Sequence, residues 1–197
     1  MATIRQQVLR TIYPALMNVT KWLGKNALVL ENKSGKLFQN PIYDLPIALN
    51  NGQTLSLQTL QGKKILLVNT ASDCGYTAQY SELQQLQDRY GKTLQVIGFP
   101  ANDFKEQESG SDAAIAQFCQ VNFGVTFPLA KRSSVVKGPQ QHPVYQWLTQ
   151  ADKNGWNSKA PSWNFSKYLI NENGVLTHYF DPSISPLSTE ITKALTT

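Results

Sequence analysis

The sequence predicts an α/β fold, a three-layer sandwich with helices on both faces of a mixed central sheet and a hairpin at its N-terminal side. Three observations carry this reading. Residues 64–70 contain the continuous apolar run Ile65-Leu66-Leu67-Val68, the pattern of a strand covered on both faces, and 94–99 reads as a second buried strand. An amphipathic stretch of helical period follows each of them, at 77–90 and 111–122. A hairpin pattern and a closing helix come last, so strand–helix–strand–helix is completed by antiparallel strands.

The elements follow in order. Residues 42–49 and 53–57 alternate around Asn50-Asn51-Gly52, a hairpin turn signal. Ile65, Leu66, Leu67 and Val68 form the first buried strand. Tyr80, Leu83, Leu86 and Tyr90 share one side of the helix at 77–90. After the second strand, Ser111 and Asp112 suit a helix cap, and Ile115, Phe118 and Cys119 share a face. Residues 125–129 read as a short strand and 142–150 as a helix. Residues 165–171 and 175–180 flank Glu172-Asn173-Gly174 as a second hairpin, and 186–195 is the closing helix.

The charge divides the chain in two. The net charge is +5. Residues 1–40 carry Arg5, Arg10, Lys21, Lys25, Lys33 and Lys36 against Glu31, so the extension accounts for all of it. Residues 41–197 are neutral, which argues against a nucleic-acid partner for the folded part. The expected organisation is a basic amphipathic extension and linker over 1–40 and a domain over 41–197.

In the extension, Ile4, Val8, Ile12, Leu16, Val19 and Leu23 form a helical stripe that Pro14 interrupts. Arg10, Pro14, Asn18 and Lys21 deny it the apolar core of a secretory signal, so a cytoplasmic location is expected. A transit peptide fits the charge bias, but no Ser precedes Ser34. Three readings stay open: a helix packed on the domain or a loosely ordered extension, a helix lying on an anionic membrane surface, and a targeting segment. No apolar run is long enough to span a membrane.

Chemistry concentrates at Cys74. It lies in Ala71-Ser72-Asp73-Cys74-Gly75-Tyr76-Thr77, between the end of a buried strand and the start of a helix. Ligands and reactive groups collect at that edge of an open α/β sheet. Unpaired N–H groups at a helix start favour a thiolate, the nucleophilic form, while Asp73 opposes it by like charge. Position alone leaves a small buried hydrophobe as the alternative. Cys119 is the other cysteine, on the apolar face of its helix, and the same alternative applies.

Three segments together resemble the glutathione peroxidase family. They are Val68-Asn69-Thr70-Ala71-Ser72-Asp73-Cys74-Gly75-Tyr76-Thr77, then Gly98-Phe99-Pro100-Ala101-Asn102-Asp103-Phe104 with Gln107-Glu108, then Trp163-Asn164-Phe165-Ser166-Lys167-Tyr168-Leu169. They occur in the family's order, and the resemblance runs from about Ile42 to Leu195. It implies a thioredoxin-like fold and reduction of hydrogen peroxide or organic and lipid hydroperoxides by Cys74. The thiolate would attack the O–O bond and become a sulfenic acid. Trp163 and Asn164 would donate hydrogen bonds to the sulfur, and both are neutral donors suited to that task.

Two positions depart from the family pattern. Asp103 stands where the resemblance leads one to expect a Gln amide, and an ionised carboxylate can only accept. It is kept as a candidate site residue with four outcomes open: it points away, it is protonated, backbone N–H groups replace it, or it relays a proton. Ala101 stands where many members have Cys. The resemblance therefore leaves Cys119 to resolve the sulfenic acid, as in the non-selenium, two-cysteine branch, with the disulfide reduced by thioredoxin. Glutathione as reductant, with Cys119 structural, is the alternative. Joining the two cysteines needs Cα atoms within ~7 Å, so local opening of residues 111–123 is expected.

Neither His142 nor His178 belongs to a Cys/His spacing, and no phosphate loop or dinucleotide fingerprint occurs, so no metal or cofactor is expected. The resemblance also implies a monomer with an open site, because the stretch from Lys131 to Ser162 is short where tetrameric members of the family carry an extra segment. Besides the peroxidase, two other classes stay open: a thiol redox sensor or relay, and a binding protein without catalysis.

Overall fold

The computed structural model describes Ile12 and residues 28–33 and 42–196. The helical stripe of the extension, Ile12 apart, and most of the linker lie outside the described residues. In chain order the elements are β1 (Val29–Glu31), β2 (Pro46–Ala48), β3 (Thr54–Ser56), β4 (Lys64–Thr70), α1 (Gln79–Tyr90), β5 (Leu94–Pro100), α2 (Asp112–Phe123), α3 (Pro143–Leu148), α4 (Ala151–Asn154), β6 (Lys167–Ile170), β7 (Leu176–Phe180) and α5 (Thr189–Thr196). Five strands form one sheet in the order β1-β7-β6-β4-β5, and β2 pairs with β3 as a separate hairpin. The β4–β5 pair is parallel and the β4–β6, β6–β7 and β1–β7 pairs are antiparallel, so the sheet is mixed.

The apolar runs become central strands because both faces are covered. Along β4, Ile65 and Leu67 face a core shared with Ile47, Tyr145 and Leu148 from the hairpin and α3. Leu66 and Val68 face the other core, with Tyr80, Leu83, Ile115 and Ile191 from α1, α2 and α5. Alternation is a property of every strand, but here both sets of side chains are buried. The result is a three-layer sandwich.

Local chemistry sets the boundaries. The Ser111 hydroxyl accepts the Ala114 N–H at 3.3 Å and opens α2. Gly124 closes it at φ 65°, a left-handed position suited to glycine, and donates its N–H to Gln120. His142 caps α3 through Nδ1, which accepts the Val144 N–H, and Pro143 takes the first helical position.

Two expectations are corrected. A boundary at residue 40 would leave Val29–Glu31 in the extension, yet these residues pair with Phe180, Tyr179 and His178 as an outer strand of the sheet. Three residues are too few to show a period of two. Residues 125–129 do not form a strand but make isolated bridges: Gly98 N–H donates to Pro128 O at 3.0 Å, and Ala130 N–H to Gly98 O at 2.8 Å. Pro128 has no N–H to extend a ladder. The approach depends on Gly98, where a Cβ would lie 2.6 Å from Leu129 Cδ2.

Candidate active site

Cys74 is in the turn between β4 and α1. The Thr77 hydroxyl accepts the Cys74 N–H at 3.1 Å, which folds the turn back on itself. This leaves the thiol fully buried, with the Tyr76 N–H donating to Sγ at 3.5 Å. The side chains of Asn164 and Trp163 lie close enough to the same sulfur to favour its ionised form.

Those side chains are delivered by strained backbone. Phe165, fully buried, sits at φ 68°, and its N–H donates to Asn69 O at 2.6 Å. The Asn69 amide donates to Trp163 O at 3.0 Å. One residue of β4 thus holds both ends of the Trp163–Phe165 turn, which pays for a conformation that costs of order 1–3 kcal/mol. In the second motif Lys105 and Glu106 are also left-handed, at φ 52° and 53°. Their turn brings Gln107 back to the site, where its carbonyl oxygen accepts the Asp73 N–H at 3.0 Å.

Gln107 is the residue that sequence reasoning missed. Its Oε1 accepts from Asn164 Nδ2 at 3.0 Å, so a carboxamide of the second motif does stand at the site. The expected one, Asp103, does not. Its Oδ1 accepts the Ser134 hydroxyl at 2.9 Å and its Oδ2 accepts the Val135 N–H at 2.7 Å, so its carboxylate anchors the segment after Ala130. A carboxylate finds neutral donors there and would face a thiolate near Cys74. Gln107 lies four residues further along the quoted motif, and the expectation of an amide was itself the signal that could have found it.

Electrostatically, burial dominates at Cys74. It raises the thiol above its ordinary range, the Tyr76, Asn164 and Trp163 donors pull it down, and Asp73 pushes it up. The favourable donors read from the sequence are present, but desolvation outweighs them in this reduced, closed state. Cys119 is fully buried on α2, and burial pushes its thiol up to about 12 against the Tyr80 hydroxyl. Both thiols are free, and both belong to the core layer between the sheet and α1/α2.

The nearest cleft on the Trp163 side does not have Cys74 in its lining. It has a volume of about 520 Å³ and is lined by Tyr76, Lys159, Trp163, Asp181 and Ser183. Trp163 is partly buried there, with the Phe104 ring 5.4 Å away and Lys105 Nζ 5.7 Å from its ring centroid. The cleft's wall is fixed by Lys167, whose buried ammonium donates to Pro182 O at 3.3 Å and Ile184 O at 2.6 Å. Among the described residues no group of three His, Cys, Asp or Glu could hold a metal ion.

Residues 42–149 match the family described as glutathione peroxidase. A glutathione peroxidase homolog, BsaA, of Staphylococcus epidermidis is 43% identical over 157 residues, covering 78% of this chain and 98% of the relative. The crystal structure of T. cruzi GPX1 is 30% identical, covers 80% of this chain and 95% of that one, and superposes with a TM-score of 0.61. A thiol:disulfide interchange protein of the thioredoxin family from Chlorobium tepidum, 13% identical, shares the fold with a TM-score of 0.58 over 82% of this chain and 99% of that one. The sandwich is thus thioredoxin-like, and the chain belongs to the glutathione peroxidase family.

Proposed function

We propose that this thiol peroxidase reduces hydrogen peroxide and organic or lipid hydroperoxides at Cys74, and that Cys119 and thioredoxin complete its cycle. The observation that carries the first part is one buried sulfur that accepts the Tyr76 N–H and has the neutral Trp163 and Asn164 side chains near enough to favour its thiolate. They lower the thiol's pKa against burial without acting as competing bases. The thiolate attacks the terminal peroxide oxygen, the O–O bond breaks, and the alkoxide or hydroxide takes a proton and leaves as alcohol or water. Cys74 is left as the sulfenic acid. Support for substrates larger than hydrogen peroxide is the cleft of about 520 Å³ beside Tyr76 and Trp163.

Support for the second part is that both thiols lie in one core layer. Cys119 would attack the sulfenic sulfur, form the disulfide and release water, and an external dithiol would reduce it. A thiol so strongly protonated and buried needs α2 to open before it reacts. Steady-state hydroperoxide reduction, run with a thioredoxin system and separately with glutathione, tests the reading. Turnover with thioredoxin is expected; turnover with glutathione alone would make Cys119 structural.

The protein acts as a cytoplasmic monomer, with the basic extension contacting an anionic membrane surface. Unchanged vesicle binding after deletion of residues 1–27, which spares β1, would remove the membrane part, and sedimentation tests the monomer.

A further inference from the structure

Glu108 is a carboxyl that the reaction above leaves unused. It follows Gln107 in the second motif, but its side chain turns into the protein and is only 1% exposed. A carboxylate oxygen accepts the Ser72 hydroxyl at 3.2 Å. The Arg132 guanidinium bonds its main-chain oxygen, at 3.1 Å, rather than the carboxylate. Its own N–H donates to Asn102 Oδ1 at 2.9 Å, which fixes the backbone and leaves the carboxylate for other work.

Its position links the two cysteines. A groove of about 300 Å³ is lined by Ser72 and Asp73, the two residues before Cys74 in the chain, by Gln107 and Glu108, and by Ile115 and Phe118 of α2. Those last two residues flank Cys119 on α2, Phe118 as its neighbour and Ile115 one turn before. Glu108 is close enough for its charge to raise both the Cys119 thiol and the Tyr80 hydroxyl. Resolution needs a proton acceptor at this place, because a buried thiol is protonated at neutral pH and only the thiolate attacks.

We propose that Glu108 is the general base of the resolving step, taking the Cys119 proton and passing it to the hydroxide that leaves Cys74. The inference rests on the Cys74–Cys119 cycle proposed above. The S–H bond of Cys119 and the S–O bond of the sulfenic acid break, and the S–S bond forms. The hydroxide departs with the Cys119 proton as water, and Glu108 ends ionised as it began. The sulfenic sulfur is reduced and the thiol sulfur oxidised, so no outside redox partner enters.

The groups facing Glu108 are Ser72 and Asp73 from the β4–α1 turn, Tyr80 from α1, Cys119 from α2 and Arg132 beyond β5. Burial pushes the carboxyl up to about 7, with Asp73 adding to the rise and Ser72 and Arg132 opposing it. A base of that strength gains and loses its proton across the working range.

The reduced protein and its Glu108→Gln variant are mixed with one equivalent of hydrogen peroxide at a series of pH values. Sulfenic acid at Cys74 is trapped with dimedone, and the disulfide is followed by rapid-quench mass spectrometry. Sulfenic acid formation is expected within about twofold of wild type, and disulfide formation about 10²–10³-fold slower. The wild-type disulfide rate should rise with pH around the carboxyl's titration, and the variant's should not. Ser72→Ala keeps the carboxyl but removes a donor to its ionised form, so it should move the midpoint of that rise to higher pH. A purely structural Glu108 would leave the midpoint in place. If wild type forms the disulfide and Glu108→Gln forms it as fast, the base is overturned alone. If wild type forms no Cys74–Cys119 disulfide, the cycle and the base fall together. If Glu108→Gln does not fold, an unmoved midpoint in Ser72→Ala overturns the proposal.

Discussion

Asn164 donates to Gln107 Oε1 at 3.0 Å, and the same side chain favours the ionised form of the Cys74 thiol. The second and third motifs, 57 residues apart in the chain, therefore meet over the thiol. Gln107 orients the amide, and Asn164 delivers it.

Gln107→Ala should accordingly lower the second-order rate of Cys74 with hydroperoxide by about five- to tenfold, the effect of losing one neutral hydrogen bond. Asp103→Asn should leave that rate within about twofold, yet lower the melting temperature, because its bonds go to Ser134 and Val135. Stopped-flow rates and thermal melts on the two variants check the contrast. The reverse pattern would put Asp103 back at the site.

Cys119→Ser should react with its first equivalent of peroxide at the wild-type rate, then accumulate sulfinic acid at Cys74 under excess peroxide. Intact-mass spectra distinguish this from wild type, in which the disulfide protects the sulfur. Equal overoxidation in both proteins would mean that Cys119 does not resolve.

Because burial and Asp73 raise the Cys74 thiol, alkylation of Cys74 by iodoacetamide should climb on the alkaline side of the ordinary cysteine range. Asp73→Asn removes one raising charge and should move the profile to lower pH. The Cys119→Ser background isolates the signal. No shift in Asp73→Asn would mean that solvent screens this charge.

Lys167 is fully buried, and burial lowers its ammonium to about 7 in the folded protein, against 10.5 for an ordinary lysine. Between those values the unfolded chain holds a proton that the folded one lacks. Stability should therefore rise with pH across that window, and the cost of charging the buried amine is fully felt only below about 7. Lys167→Met has no such proton. Urea unfolding at neutral and alkaline pH should show wild type gaining on the variant by a few kcal/mol at most. A constant difference would mean that the amine titrates normally.

Glu106 is exposed with φ 53°. Replacement by Gly relieves a left-handed conformation that costs a side chain about 1 kcal/mol, offset in part by the entropy of glycine in the unfolded chain. Glu106→Gly should be neutral or stabilising by up to about 0.5 kcal/mol, where Gly inside a helix would cost about 1. Thermal melts decide it, and a loss above about 1 kcal/mol would show that the side chain is needed.

Much of this was legible before the structure. The apolar runs at 64–70 and 94–99 identify the central strands because nothing but two-sided burial produces them. Cys74, Trp163 and Asn164 are brought together by the structure, as the motifs imply. Other features had no sequence signal of the right kind. β1 is too short for periodicity. The left-handed turn at Lys105 and Glu106 uses residues that do not advertise it, so the register that brings Gln107 inward, and leaves Asp103 outside, was hidden. Glu108 reads as an ordinary charged loop residue until its burial is seen.

The contact between Gly98 and Leu129 has a meaning for behaviour at high concentration. β5 is the last strand on its side of the sheet, and such a strand is a template for another chain. Residues 125–130 lie along it in its place, held by two backbone bonds at Gly98, and Pro128 offers no N–H to the outside. A methyl group at Gly98 would lie 2.6 Å from Leu129 Cδ2, so that side chain would have to shift. Losing the two backbone bonds at Gly98 would expose an unpaired strand edge directly beside the strand that carries the active-site turn, and self-association rather than loss of chemistry would be the first sign of damage.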